Sequence, residues 1–109
     1  MTIRKITVKE LQEKMAKEKN VSLLDVRAEE KFQESHIEGT TWNIPKTDIF
    51  NMEEGSISVL PKDQEIIITC TTGNSAAKCA EILSEKDYNV LVLEGGVTAW
   101  KELMSSSKS

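Results

Sequence analysis

One stretch of the chain, residues 66–76, constrains the fold more than any other. An apolar run rich in isoleucine ends at Cys70, a short polar loop containing Gly73 follows, and a helical pattern then begins. This order predicts a buried strand with a thiol at its carboxyl end, facing the amino terminus of a helix. Backbone N–H groups converge at such a terminus and favour negative charge, so the pattern indicates a reactive thiolate at Cys70.

Strand and helix patterns alternate along the rest of the chain. A capping box, with Thr7 as N-cap and Glu10 three residues later, predicts a first helix, and a polar helix with Phe32 inward is expected over residues 28–35. Strands are expected at residues 3–6, 21–26, 41–44, 65–69 and 90–93, one helical turn with a loop at 46–62, and later helices at 75–86 and 97–104. The alternation favours a parallel sheet with helices on both faces, which binds ligands at the carboxyl ends of its strands.

Size and charge limit the functions that this chain can have. With 109 residues and a formal net charge of −4, it is expected to form one domain over residues 1–104, with a disordered tail at 105–109, and to bind no nucleic acid. No apolar run is long enough for a membrane span, and residues 1–5 lack the apolar core of a signal peptide. Two cysteines then favour a reducing, cytoplasmic compartment, and Cys70 and Cys79 are poorly placed for a disulfide.

Three motifs occur in order around Cys70. The first motif consists of residues 23–27, Glu30, Phe32 and the segments 35–39 and 43–45. The second is the loop 70–76, and the third is formed by residues 88–100. Together they resemble the single-domain rhodanese-like family over roughly residues 3–103. The resemblance implies an α/β domain with about five parallel strands and helices on both faces. It also implies a sulfurtransferase activity.

The implied chemistry runs through a persulfide on the cysteine and needs neither a metal nor an organic cofactor. Cys70 would take sulfane sulfur from a small donor such as thiosulfate or a polysulfide and pass it to cyanide, a thiol or a protein acceptor. Asp25 and Arg27 would support the site, as an ion pair that ties the strand end to its neighbours. The persulfide would be bound by backbone N–H groups of the loop residues Thr71, Thr72, Gly73, Asn74, Ser75 and Ala76.

The loop departs from the family pattern in its charge. Many active members have arginine one and five residues after the cysteine, where this chain has Thr71 and Ser75. Anion stabilisation within the loop must therefore come from the backbone, and thiosulfate is expected to be a poor donor compared with less charged ones. Arg27 becomes the nearest expected fixed positive charge. The Ser75 hydroxyl has two open interpretations, as a helix N-cap or as a contact to the bound anion.

Other candidate residues favour structural roles. Cys79 lies on the apolar face of its helix and is interpreted as a core residue. His36, the one histidine, matches a structural segment of the family and is expected to be packed or hydrogen-bonded, without forming a Cys/His pair. Trp42 and Trp100 are expected in the core.

Two other functions remain as alternatives. A non-catalytic module would carry sulfur or dock a protein through the same fold. A cysteine phosphatase needs arginine six residues after its cysteine, where this chain has Ala76. That position argues against phosphatase chemistry. For arsenate reduction, the chain lacks the same loop charge and has no clear resolving cysteine.

Overall fold

The fold is a five-stranded parallel sheet covered by helices on both faces. The computed structural model describes residues 3–18 and 20–106. The strands are β1 (Arg4–Ile6), β2 (Ser22–Asp25), β3 (Trp42–Asn43), β4 (Glu65–Thr69) and β5 (Asn89–Leu93), and the helices are α1 (Val8–Lys17), α2 (Glu29–Glu34), α3 (Lys46–Phe50), α4 (Glu54–Ile57), α5 (Asn74–Glu85) and α6 (Gly96–Ser106). The sheet order is β1-β5-β4-β2-β3. The predicted fold class is confirmed.

The central strand β4 divides the core into two layers because its side chains alternate between the sheet faces. Ile66 and Ile68 belong to the cluster under α3, α4 and α5, whereas Ile67 belongs to the cluster under α1 and α6. β4 pairs with β2 on one side and with β5 on the other. The strand that leads to Cys70 is therefore buried on both faces, and its end is fixed by two neighbouring strands.

Most helix boundaries follow local signals. The capping box of α1 is confirmed, since Thr7 Oγ1 accepts the Glu10 N–H at 3.1 Å and Glu10 Oε1 accepts the Thr7 N–H at 2.9 Å. The second short helix, α4, was predicted as loop. A four-residue helix containing Gly55 and Ser56 has little propensity of its own. It forms here because Ile57 is buried and Ser56 Oγ donates to Asp48 at 2.8 Å.

Two further expectations need correction at the edges of the core. Trp42 and Trp100 are half-buried and pack against the outside of the two clusters, so neither lies inside the core. Helix α6 continues to Ser106, two residues into the segment 105–109 that was expected to be a tail. Residues 107–109 lie outside the described part of the chain. Within that part, no helix has the length and apolar character needed to cross a bilayer.

Candidate active site

Cys70 lies at the carboxyl end of the central strand, where the sequence placed it. Its side chain is 5 % exposed. Cys70 Sγ accepts hydrogen bonds from the backbone N–H groups of Gly73 at 3.0 Å and Ala76 at 3.4 Å. Both donors belong to the turn that opens α5, so the helix dipole adds to their effect. The arrangement stabilises negative charge on this sulfur.

The loop reaches this geometry because of Gly73. Its φ of 102° lies in the left-handed region, and the residue is the N-cap of α5. Ser75 is therefore inside the first turn, and its interpretation as N-cap is wrong. A ring of N–H donors was predicted from Thr71 to Ala76. Among these, the N–H groups of Gly73 and Ala76 donate to Cys70 Sγ. Thr71 and Thr72 are exposed at the rim.

The first turn of helix α6 donates hydrogen bonds to the backbone of the Cys70 loop. The N–H of Val97 donates to the Cys70 carbonyl at 2.8 Å, and the N–H of Thr98 donates to the Thr71 carbonyl at 3.0 Å. These donors are free for that purpose because the first N–H groups of a helix have no intrahelical partner. Gly96 permits the close approach, since a Cβ there would overlap the Cys70 carbonyl oxygen and lie 2.7 Å from that of Thr71.

Asp25 and Arg27 form a buried ion pair beside the loop, as expected, and their supporting role stays a prediction. The Arg27 Nε contacts both carboxylate oxygens at 3.0 Å, and one terminal nitrogen donates to Asp25 Oδ2 at 2.7 Å. That nitrogen also donates to the Ser35 carbonyl at 2.8 Å. The Asn43 amide donates to the carbonyls of Asp25 and Arg27, so the end of β3 fixes this turn. Nε and one terminal nitrogen of the guanidinium are thus engaged, which fixes the side chain beside the loop.

A cavity of about 250 Å³ opens above Cys70. Three cations line it: Arg27, Lys31 and Lys46. The sequence predicted Arg27 as the nearest positive charge, and the two lysines were missed. Lys46 had a usable signal, because it lies three residues after the end of β3, a strand parallel to β4, and such strand ends share one edge of the sheet. The site therefore has positive charge, but it comes from neighbouring segments.

The remaining candidates lie outside this cavity. His36 is exposed, stacks on Phe32 with ring centroids 4.0 Å apart, and shares a 2.9 Å hydrogen bond between Nδ1 and the Phe32 carbonyl. Both cysteines are free, and Cys79 is fully buried, which confirms it as a core residue. Burial, and to a smaller extent the nearby Cys70, raises the pKa of the Cys79 thiol to about 12, while the Lys46 charge opposes the shift.

A family model and several known proteins are similar to this chain. A family model described as "Rhodanese-like domain" matches residues 7–103. The chain is 30% identical over 101 residues to "Putative sulfurtransferase YtwF" of Bacillus subtilis, with 93% of each chain covered. It is 34% identical over 88 residues to "Protein HIGH ARSENIC CONTENT 1, mitochondrial" of Arabidopsis thaliana, covering 71% of this chain and 50% of that protein.

A solved structure gives the same result. The "Rhodanese-like Domain Protein from Staphylococcus aureus" superposes with a TM-score of 0.79 at 28% sequence identity, covering 90% of this chain and 91% of that one. Some curated relatives are longer proteins, of which the chain spans between 25% and 50%.

Proposed function

The chain belongs to the rhodanese-like domain family, and we propose that it is a sulfurtransferase that carries sulfane sulfur as a persulfide on Cys70. The observation that carries this proposal is the environment of Cys70 Sγ, which accepts two backbone N–H groups at the opening of α5 and lies at the base of a cavity. A nucleophilic thiolate and a persulfide are both anions, and this environment suits both. The sulfurtransferase name of the Bacillus subtilis relative supports the same chemistry.

The reaction has two displacement steps. In the first, the Cys70 thiolate attacks the sulfane sulfur of the donor, the donor's bond to that sulfur breaks, and the leaving group departs with the electron pair. Cys70 then carries an S–S⁻ group. In the second, cyanide or a thiolate attacks the outer sulfur, the S–S bond breaks, and the Cys70 thiolate is regenerated. The charge stays balanced, and no external oxidant or reductant is needed.

The loop residues are proposed to bind the outer sulfur of the persulfide. Gly73 and Ala76 already donate to the inner sulfur. The N–H groups of Thr71, Thr72, Asn74 and Ser75 surround the same turn and complete the proposed site. Asp25 and Arg27 keep the strand end in place through their ion pair.

The proposed substrates are a small sulfur donor and a thiol, cyanide or protein acceptor. Because Thr71 and Ser75 replace the arginines of many family members, thiosulfate is proposed to be a weaker donor than polysulfide. The proposed compartment is the cytoplasm, which would supply low-molecular-weight thiols as acceptors.

The test is thiocyanate formation from cyanide, with thiosulfate and with polysulfide as donors. Cys70→Ser should abolish transfer from both, since a hydroxyl is not a comparable nucleophile. Cys79→Ser is the matched control, because it removes a thiol from the same core cluster without touching the loop. Equal transfer by the wild-type protein and Cys70→Ser would contradict the proposal.

A second candidate is a module that docks a partner without catalysis. It is favoured by the burial of Cys70, which is only 5 % exposed, and by the absence of arginine from the loop 70–76. Such a module would gain no sulfur from any donor. A mass gain of about 32 Da that cyanide removes would exclude it.

A further inference from the structure

The active-site loop has no charged residue, but a cation at the start of α3 lies beside it. Building on the proposed sulfur transfer, we propose that Lys46 is the residue that binds the anionic end of the sulfur donor above Cys70. Its Nζ donates to Ser75 Oγ at 3.4 Å. Ser75 is the position at which the family resemblance leads us to expect arginine, and the Lys46 ammonium is the cation in contact with that residue. In this proposal, a cation at the start of α3 takes the role of a cation on the loop.

The backbone at Lys46 is fixed although its side chain is exposed. The Lys46 N–H donates to the Val26 carbonyl at 2.9 Å, which ties the residue to the end of β2. Pro45, the N-cap of α3, limits the backbone conformation on the other side. The ammonium therefore starts from a defined point at the cavity rim and reaches the first turn of α5.

Among the three cations of the cavity, Lys46 is the one for which the described residues supply no carboxylate partner. Arg27 is bound by the Asp25 carboxylate, which neutralises it. The Lys31 ammonium lies 3.9 Å from a Glu34 carboxylate oxygen. Within residues 3–18 and 20–106, Lys46 forms no ion pair with a carboxylate. A bound anion would supply its counter-charge.

The position suits the first displacement step with thiosulfate. The Cys70 thiolate attacks the terminal sulfur, the S–S bond of thiosulfate breaks, and sulfite leaves with the electron pair and its two negative charges. The total charge is unchanged. An ammonium beside the leaving group stabilises the bound dianion and the departing sulfite, and so offsets their repulsion by the thiolate.

Lys46 should therefore set the preference between donors by their charge. Lysine is a point charge without the fixed fork of arginine, so it recognises an anion by charge more than by shape. Thiosulfate is a dianion, whereas benzenethiosulfonate is a monoanion that delivers its terminal sulfur in the same way and releases benzenesulfinate. Removing the Lys46 charge should weaken the binding of thiosulfate more than the binding of benzenethiosulfonate.

The experiment compares Lys46→Met with Lys9→Met, a charge-matched change at an exposed position on α1. Steady-state thiocyanate formation is measured with thiosulfate and with benzenethiosulfonate. For Lys46→Met, we expect the KM for thiosulfate to rise about 10-fold and that for benzenethiosulfonate about threefold, in keeping with a charge-assisted contact at an exposed site. Lys9→Met should match the wild type with both donors.

A relocated charge provides the second arm. In the double variant Lys46→Met/Ser75→Arg, the guanidinium stands where the ammonium stood, and the KM for thiosulfate should return to within about threefold of the wild type. Salt should raise the thiosulfate KM of the wild type more than that of Lys46→Met, because salt screens the attraction between Lys46 and thiosulfate, which the variant does not have. Thermal unfolding of each variant shows whether it is folded.

The outcomes separate the two proposals. An unchanged thiosulfate KM in Lys46→Met, with persulfide still forming on Cys70, overturns the role of Lys46 and leaves the sulfur transfer standing. An equal loss with both donors also overturns it, since charge would then not be the cause. No persulfide from any donor in the wild type overturns the proposed function and this role together.

Discussion

Replacing Gly96 with alanine tests whether α6 positions the active-site loop. The added Cβ would overlap the Cys70 carbonyl oxygen and lie 2.7 Å from the Thr71 oxygen, so the Cys70–Thr71 peptide or the helix has to move. Either movement weakens the two hydrogen bonds from Val97 and Thr98 that hold this peptide. We therefore expect a loss of stability and, separately, a loss of sulfur transfer.

The magnitude follows from two contributions. At φ +58°, an alanine costs about 1 kcal/mol more than glycine because the left-handed region disfavours a Cβ. Two weakened backbone hydrogen bonds add about 1 kcal/mol each. The sum, about 3 kcal/mol, corresponds to a decrease in Tm on the order of 10 °C for a domain of this size.

The assay combines thermal unfolding with persulfide formation on Cys70. Gly55→Ala is the matched control, because a Cβ at that position meets nothing within 4 Å, and its Tm and sulfur uptake should stay close to those of the wild type. Gly96→Ala should also take up sulfur at least about 10-fold more slowly, since Sγ and its N–H donors would be displaced. A Gly96→Ala protein with unchanged Tm and unchanged uptake would refute the reasoning.

Two further predictions concern buried groups near the site. Asp25→Ala should cost about 3 kcal/mol in urea unfolding because it leaves the Arg27 guanidinium, 8% exposed, without its carboxylate. Asp25→Leu/Arg27→Met should regain most of this loss, and a double variant as unstable as the single one would argue against the ion pair as the cause. The pKa of the Cys79 thiol is raised from its ordinary value of 9.0 to about 12. Between these two pH values the thiol is protonated in the folded protein and ionised in the unfolded one. The unfolded state then binds fewer protons, so the free energy of unfolding falls as pH rises. Cys79→Ala should remove that contribution, up to about 1.4 kcal/mol per pH unit, and identical pH slopes for both proteins would contradict it.

The main elements of the fold were predictable because their signals are local. The apolar run before Cys70 and the alternating patterns around it identify β4, its neighbours and α5 without tertiary information. Helix α4 was missed because its stability comes from the burial of Ile57 and from a contact with Asp48, neither of which a local pattern contains.

The site was only partly predictable for a related reason. The positions of Cys70 and of Asp25 and Arg27 at strand ends could be read from the sequence, because the apolar runs of β2 and β4 are recognisable; the roles of these residues stay predictions. The sequence left Ser75 open as the N-cap or as an anion contact, whereas the structure has Gly73, with its positive φ, as the N-cap. Lys46 is 24 residues from Cys70 along the chain, and only the parallel alignment of the strands brings both to one cavity.

The most direct test of the central claim is the mass of the protein after reaction with one equivalent of a sulfane-sulfur donor. We expect a gain of one sulfur, about 32 Da, located on the peptide that contains Cys70 and released by cyanide as an equal amount of thiocyanate. Cys70→Ser should gain nothing, while Cys79→Ser should behave like the wild type. Sulfur found on Cys79, sulfur retained by Cys70→Ser, or no gain with any donor would contradict the account.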